Sequence, residues 1–292
     1  REPVGSKADL VRYRASARAV PPGAIGHYDI LVNDTADIDG KRYCHTLTDK
    51  NSNYGDICCT ARKNAKDTGE AILQLARNSI RASVQAAAHY QRLTGEQQDN
   101  TTCPEPLRVI VLDGELGVTR AVEDELGNIG VELRRTVPNA HNQNGRAEGK
   151  IANIKHFGDV LMVNSAITHV QSFAWKHANF ILNVTPARHG QKSSFELRTG
   201  LKPGPRIDYM AKNNVFGACT VVVRTKEEQA TSTVNGDKSN VSQGRNQLGI
   251  FLGICDDRLT TIMDGGANAS NVLICSKHGL NSSGSIQRVA GP

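Results

Sequence analysis

Three short runs near the start of the chain alternate hydrophobic and polar positions, at residues 28–32, 43–47 and 56–61. Residues 39–40 and 51–53, which separate these runs, are Asp, Asn, Gly and Ser. Short alternating runs joined by such turns are typical of antiparallel strands. The pattern therefore predicts a three-stranded antiparallel meander.

Helical spacing of apolar residues follows and covers residues 67–94. A nearly continuous β-branched run at 107–112 then predicts a strand that is buried on both faces. It is followed by a short helix at 118–126, a strand at 131–137 and a helix at 146–163. Strands and helices in this order predict one α/β unit in which helices flank a sheet.

The second half of the chain predicts a helical segment and a small β-rich module. A helix is expected at 170–182, and the polar stretch at 224–247, rich in Gly, Ser and Asn, predicts a flexible insert. Apolar runs at 248–254, 260–263 and 271–275 predict strands. We therefore expect four parts: a basic lead-in at 1–22, a core at 23–166, a helical and basic extension at 167–212, and a β-rich module at 213–292.

Composition places the chain among globular proteins. Of its 292 residues, 38% are apolar and 22% are charged, which suits one or two domains with a hydrophobic core. No apolar run approaches the roughly eighteen residues that a membrane span needs. The seven Cys are odd in number and include no C-x-x-C pair, which argues against a disulfide framework or a structural zinc site. Because the chain begins at Arg1 and shows no targeting segment, we expect a piece of a longer protein.

Charge is distributed unevenly along the chain. The net charge of +6 comes from 35 Lys and Arg against 29 Asp and Glu. Residues 1–22 carry five basic and two acidic side chains, and residues 172–206 carry six basic side chains against Glu196 alone. The remaining residues are therefore slightly acidic. Basic segments that flank an acidic unit favour a protein that acts on nucleic-acid phosphates.

Three carboxylates lie on three different predicted elements of the core. Asp29 lies in the first strand, Asp113 ends the buried strand, and Glu148 lies in the first turn of the helix at 146–163. Oxygen ligands of this kind, with positions left open for phosphate oxygens, are what two hard divalent cations need. The three residues are therefore candidate metal ligands.

The sequence around these carboxylates contains specific motifs. Residues 138–148 read P-x-x-x-x-Q-N-G-x-A-E, residues 111–115 read V-L-D-G-E, and residues 22–29 read P-G-x-x-x-H-x-D. Through these motifs, and through further matches as far as residue 255, the chain resembles the integrase core of copia-type LTR retrotransposons. That family belongs with the retroviral integrases and transposases, which share an RNase H-like fold and an Asp-Asp-Glu triad.

This resemblance implies an α/β, RNase H-like fold, with a mixed five-stranded sheet and flanking helices. It implies that Asp29, Asp113 and Glu148 are catalytic and hold two Mg²⁺ or Mn²⁺ ions per active site. The implied reactions are DNA 3′-end processing by water and transfer of the processed 3′-hydroxyl to target DNA. The implied setting is a homo-oligomer, bound to element ends and target DNA in the nucleus after assembly in cytoplasmic particles, with no membrane partner.

Residues near the third carboxylate and in the basic extension are candidate DNA contacts. The loop before the helix ends at residues 144–145, where helix N-terminal amides could receive a phosphate. Lys155 lies seven residues after Glu148 and therefore on the same helix face. The candidate DNA-binding residues are Asn144, Gly145, Lys150, Lys155, Lys176, Arg188 and Lys192.

Departures from the family pattern leave other functions open. Gly114 and Gly149 replace the Asn and Arg that usually follow the second and third carboxylates, and the spacing between those carboxylates is one residue shorter. A decayed copy would act only as a nucleic-acid-binding or assembly module, and an RNase H-type nuclease would share the fold. The rivals of Asp29 as a metal ligand are Asp34, Asp37 and Asp39.

Overall fold

A mixed sheet of five strands organises the first half of the chain in the computed structural model. The structure describes residues 22–94, 105–113, 117–136, 145–165, 167–203, 215–223, 246–254, 270–274 and 286–289. The strands are β1 (Ile25–Val32), β2 (Tyr43–Asp49), β3 (Gly55–Thr60), β4 (Val109–Leu112) and β5 (Glu132–Arg135). Their order in the sheet is β3-β2-β1-β4-β5. β2 is antiparallel to β1 and β3, and β1, β4 and β5 run parallel to one another.

Helices cover both faces of this sheet. They are α1 (Ala65–Thr94), α2 (Arg120–Asn128), α3 (Gly145–Ser165), α4 (Gln171–Val184) and α5 (Ser194–Thr199). Side chains of α1 and α2 form one core with the sheet, and side chains of α3 and α4 form a core on the opposite face. A mixed five-stranded sheet between two helical layers is the RNase H-like arrangement, so the predicted fold class is confirmed.

Alternation along β1 determines which of its side chains reach each face. Tyr28 packs in the core with Leu75 of α1, whereas Leu31 packs in the core with Ile154 of α3. Successive side chains of a strand point to opposite faces of the sheet. Asp29 therefore lies on the same face as Leu31, which is the face that α3 covers.

A stripe of buried residues fixes the rotation of α3. Ala147, Lys150, Ile154 and Gly158 are buried, at the three- and four-residue intervals of one helix face. A Cβ at Gly158 would lie 2.5 Å from Cδ1 of Trp175, so the glycine lets α4 approach closely. Since the stripe faces the sheet and α4, residue 148 is left on the exposed side of the first turn.

A second, antiparallel sheet follows the helices, with strands β6 (Cys219–Val223), β7 (Asn246–Ile254), β8 (Ser270–Ile274) and β9 (Ile286–Val289) in that order. Ile250 and Leu252 of β7 pack against Phe173 of α4. The predicted strands at 248–254 and 271–275 correspond to β7 and β8. Most of the polar insert at 224–247, and all of 260–263, lie outside the described residues.

Element boundaries differ from the sequence prediction where backbone pairing or capping extends an element. β1 begins three residues earlier than predicted because Ile25 pairs with Val109 of β4. α1 begins two residues earlier because the Asn64 side chain caps it, its Oδ1 accepting from the Asp67 N–H at 2.7 Å. In the described part of the chain, no helix is both long enough and apolar enough to cross a membrane.

Candidate active site

The carboxyl ends of two parallel strands bring the first two carboxylates together. The register of β1 and β4 pairs His27 with Val111. Continuing it by two residues places Asp113 beside Asp29. Asp113, directly after the end of β4, is exposed, and Asp29 is partly buried. The pairing of two parallel strands thus gives a structural reason for the juxtaposition of residues that are far apart in the sequence.

The charge of Glu148 acts on one of these two aspartates, Asp29. The Asp29 carboxylate accepts a hydrogen bond from the Ile30 N–H at 2.7 Å. Burial raises the pKa of Asp29, and the negative charges of Glu148 and Asp113 raise it further, while the Ile30 hydrogen bond and the Lys63 ammonium act in the opposite direction. All three carboxylates therefore share one electrostatic environment, on the face of the sheet that α3 covers.

An open cleft of about 390 Å³ lies at this edge of the sheet. Its walls come from the ends of β1 and β4, the segment between β3 and α1, and the first turn of α1. The lining residues are Asp29, Ile30, Lys63, Ala65, Thr68, Asp113 and Gly117. Glu148 is not part of this lining. In the described residues, no three His, Cys, Asp or Glu side chains already stand close enough to hold a metal ion.

The donor set nevertheless suits a hard divalent cation. Mg²⁺ and Mn²⁺ prefer carboxylate oxygens, and Asp29, Asp113 and Glu148 supply them from three separate elements. Their mutual repulsion adds to the burial that raises the pKa of Asp29, and a divalent cation would remove that repulsion. The residues present therefore fit the metal by chemistry and by charge.

Two of the three rival aspartates near β1, Asp37 and Asp39, have structural contacts elsewhere. Asp37 is buried and accepts from the Gln171 N–H at 2.9 Å and from the Ser172 N–H, so it caps the start of α4. Asp39 pairs with Lys41, with 2.8 Å between Nζ and Oδ2. These contacts distinguish both residues from Asp29, whose side chain lines the cleft.

Several of the candidate DNA-binding residues are at the surface. Gly145 begins α3 and is exposed, as are Lys155 in the middle of α3 and both Arg188 and Lys192 in the segment after α4. Lys176 is half-buried, with its Nζ 5.8 Å from the centre of the Phe173 ring. Asn144 lies outside the described residues.

Lys150 is an exception, and its interpretation as a DNA contact is wrong for this structure. The side chain is buried, and Nζ donates to Oδ1 of Asn183 at 2.9 Å and to the Asn53 carbonyl at 3.2 Å. Burial lowers its pKa to about 7, with the Asp56 charge opposing that change. A lysine three residues after buried Ala147 lies on the inner face of α3, so helical geometry outweighs its polarity.

Arg198, counted in the predicted basic surface at 172–206, is also buried. Its guanidinium donates to the Ser83 hydroxyl at 2.7 Å and to the Pro22 carbonyl at 3.1 Å. It thus links α5 to α1 and to the segment that precedes β1. Only part of the positive charge of that segment is available to DNA.

Sequence reasoning missed Lys63. The residue lines the cleft, yet it follows β3 without any motif around it. The signal that could have found it is topological: β1 and β3 are both antiparallel to β2, so their carboxyl ends meet at one edge of the sheet. A residue just after β3 therefore belongs beside the ends of β1 and β4.

No protein-family model matches the chain, and no curated protein matches its sequence. Solved structures with a similar backbone fold include the HTLV-2 integrase catalytic core domain in complex with magnesium. Its trimeric form has 14% identity and a TM-score of 0.42, with 62% of this chain and 99% of that chain covered. The catalytic core domain of BIV integrase has 14% identity and a TM-score of 0.41, covering 60% and 93% respectively. Similarity at this level does not transfer chemistry.

Proposed function

We propose that this chain is the integrase core of a copia-type LTR retrotransposon, a polynucleotidyl transferase that processes DNA 3′ ends and joins them to target DNA. The observation that carries the proposal is the shared electrostatic environment of three carboxylates from β1, β4 and α3, two of which line one open cleft. Their positions match the motifs that gave the resemblance. Structural aspartates of the same region, such as Asp37, lie outside this group.

In this proposal Asp29, Asp113 and Glu148 hold two Mg²⁺ or Mn²⁺ ions. Bound there, the cations would lower the pKa of an attacking water or 3′-hydroxyl and stabilise the departing oxygen. The chain's own part is to hold the oxygens in place. Asp29 is fixed by the Ile30 N–H and by its position inside β1, and the first turn of α3 is fixed through buried Ala147 and Lys150.

DNA is the proposed partner, and its path is proposed along the exposed cations near α3 and α4. Gly145 is the exposed first residue of the helix that carries Glu148. The exposed cations are Lys155 on that helix, and Arg188 and Lys192 after α4. Such cations contact phosphates without reading sequence. The proposal includes action as a homo-oligomer in the nucleus, after assembly in cytoplasmic particles.

The test is joining of a labelled duplex with a recessed 3′ end to a plasmid target, with Mg²⁺ or Mn²⁺. Asp29→Asn, Asp113→Asn and Glu148→Gln should each reduce joining by at least about a hundredfold, because each removes charge that stabilises the transition state. Glu132→Gln is the matched control, since Glu132 is exposed at the opposite end of the sheet. Circular dichroism of each variant checks the fold.

Three results would decide against the proposal. Joining that survives all three substitutions would exclude these carboxylates from the reaction. DNA binding by the parent chain without any metal-dependent cleavage or joining would instead indicate a binding or assembly module. Rapid cleavage of an RNA–DNA hybrid, with no action on duplex DNA, would indicate an RNase H-type nuclease.

A further inference from the structure

The segment between β3 and α1 is held at both ends by side-chain hydrogen bonds. The Thr60 hydroxyl donates to the Arg62 carbonyl at 2.9 Å. Two residues later, Asn64 Oδ1 accepts from the Asp67 N–H at 2.7 Å and Asn64 Nδ2 donates to the Asp67 carboxylate at 3.2 Å. Lys63 stands between these anchored residues, so its backbone position is defined while its side chain remains long and adjustable.

This side chain forms a wall of the same cleft as Asp29 and Asp113. Its charge reaches the carboxylates, since the Lys63 ammonium acts to lower the pKa of Asp29. Lys63 is exposed, and it is in none of the ion pairs found among the described residues. Lys41 and Arg135, by contrast, form ion pairs with Asp39 and Glu123. Lys63 is thus a cation in the cleft that is available to a ligand.

A cleft lined by carboxylates presents an electrostatic problem for a nucleic-acid strand, because phosphates and carboxylates repel each other. A cation on the cleft wall offsets that repulsion at close range. Lys suits this task, since its ammonium is a compact charge with three donors on a flexible stem and binds phosphate as a point charge. The ligand that this arrangement fits is a phosphodiester lying between the β3–α1 segment and the carboxylates.

We propose that Lys63 binds a phosphate of the DNA strand that enters this cleft, opposite the side on which α3 presents Glu148. This inference rests on the proposed function for the identity of the strand. It adds a contact on the β3–α1 side to the candidate DNA contacts on α3 and after α4. The bound DNA then contacts the protein on both sides of the three carboxylates.

The experiment compares Lys63→Gln with Lys66→Gln, which removes the same charge from an exposed residue one turn along that does not line the cleft. Both are made in the full chain with Asp113→Asn, so that a fluorescent duplex is bound without being consumed. Affinity is measured by anisotropy over a series of salt concentrations. Joining at saturating DNA is measured in the chain that keeps Asp113.

The plot of log affinity against log salt has a negative slope. Lys63→Gln should make this slope shallower by roughly 0.7 to 0.9, the change expected for one lost phosphate contact. Lys66→Gln should leave the slope at the parent value, and Lys63→Arg should restore it. Joining at saturating DNA should fall less than affinity does, because Lys63 holds the strand and does not transfer protons.

Equal slopes for Lys63→Gln and Lys66→Gln would overturn the inference. A changed pH profile of joining with an unchanged salt slope would also overturn it, since Lys63 would then act only on the charge of Asp29. A parent chain that joins no DNA with either metal would refute the proposed function. The slope comparison would still decide whether Lys63 contacts a phosphate, so the two failures are distinguishable.

Discussion

His45 should make the stability of this protein depend on pH between about 6.5 and 4. The ring is fully buried in β2, where Nδ1 lies 2.5 Å from the Tyr28 hydroxyl and Nε2 lies 2.8 Å from Oγ1 of Thr60. The Thr60 hydroxyl hydrogen is used on the Arg62 carbonyl, so Thr60 accepts from Nε2–H and Tyr28 donates to Nδ1. A neutral ring satisfies both partners, whereas protonation of Nδ1 would remove the acceptor to which the Tyr28 hydroxyl donates.

The magnitude follows from the pKa of this ring. Burial, together with the Lys63 charge, lowers the pKa from 6.5 to about 4, against the opposing effect of the Asp67 charge. Because the folded pKa is the lower one, the unfolded chain binds the extra proton between these values, and stability falls as pH falls. The pKa values of the unfolded and folded states differ by about 2.5. This difference corresponds to roughly 3 kcal/mol of lost unfolding free energy.

The assay is urea unfolding at about pH 7 and about pH 4 for the wild-type chain and for His45→Gln. The measured quantity is the change in unfolding free energy between the two pH values, which does not depend on how stable the variant is at neutral pH. The carboxyls of Asp29 and Asp37, whose pKa values are raised, contribute equally to both proteins. Gly158→Ala controls for general destabilisation.

Between about pH 7 and about pH 4, the unfolding free energy of the wild type should fall by roughly 3 kcal/mol more than that of His45→Gln. Equal losses in the two proteins, within the uncertainty of extrapolation, would show that the ring does not resist protonation in the folded state. The hydrogen-bond assignment from Thr60 through His45 to Tyr28 would then be refuted as well.

Two further predictions concern glycines of α3. Gly158→Ala should lower the unfolding free energy by about 1 to 3 kcal/mol, because the new Cβ would lie 2.5 Å from Cδ1 of Trp175. The same substitution should change the fluorescence emission of Trp175, the only Trp in the chain. Gly149→Ala should raise the unfolding free energy by about 1 kcal/mol, since the site is exposed and open and alanine favours helix. A Gly149→Ala variant that unfolds at lower urea than wild type would contradict the second prediction.

The fold was predictable because its signals are periodic. Alternation in β1, with Tyr28 and Leu31 in different cores, follows the two-residue period of a strand. Boundaries were less predictable, because they depend on pairing with distant strands: Ile25 and Gly26 belong to β1 through Val109 and Ile110 of β4. A local pattern does not contain that information.

The candidate site was predictable only in part. Asp29, Asp113 and Glu148 were found through motifs, and their participation in the reaction stays a prediction. The burial of Lys150 follows from its distance to Ala147 along α3, a helical relation that outweighs the polar character of lysine. Lys63 carries no motif, and its place in the cleft depends on the direction of β3 in the sheet.

Strand direction explains where the site lies, and electrostatics explains what controls its geometry. Parallel ends of β1, β3 and β4 bring Asp29, Lys63 and Asp113 to one sheet edge, and buried strands hold them there. Glu148 lies on the exposed side of a helix turn, outside the lining of the cleft. Like charges resist closer approach, and the charges of Glu148 and Asp113 add to the burial that raises the pKa of Asp29. We therefore expect the distance between Glu148 and the other two carboxylates to respond to a divalent cation or to protonation of Asp29, and to respond much less to substitutions in the core.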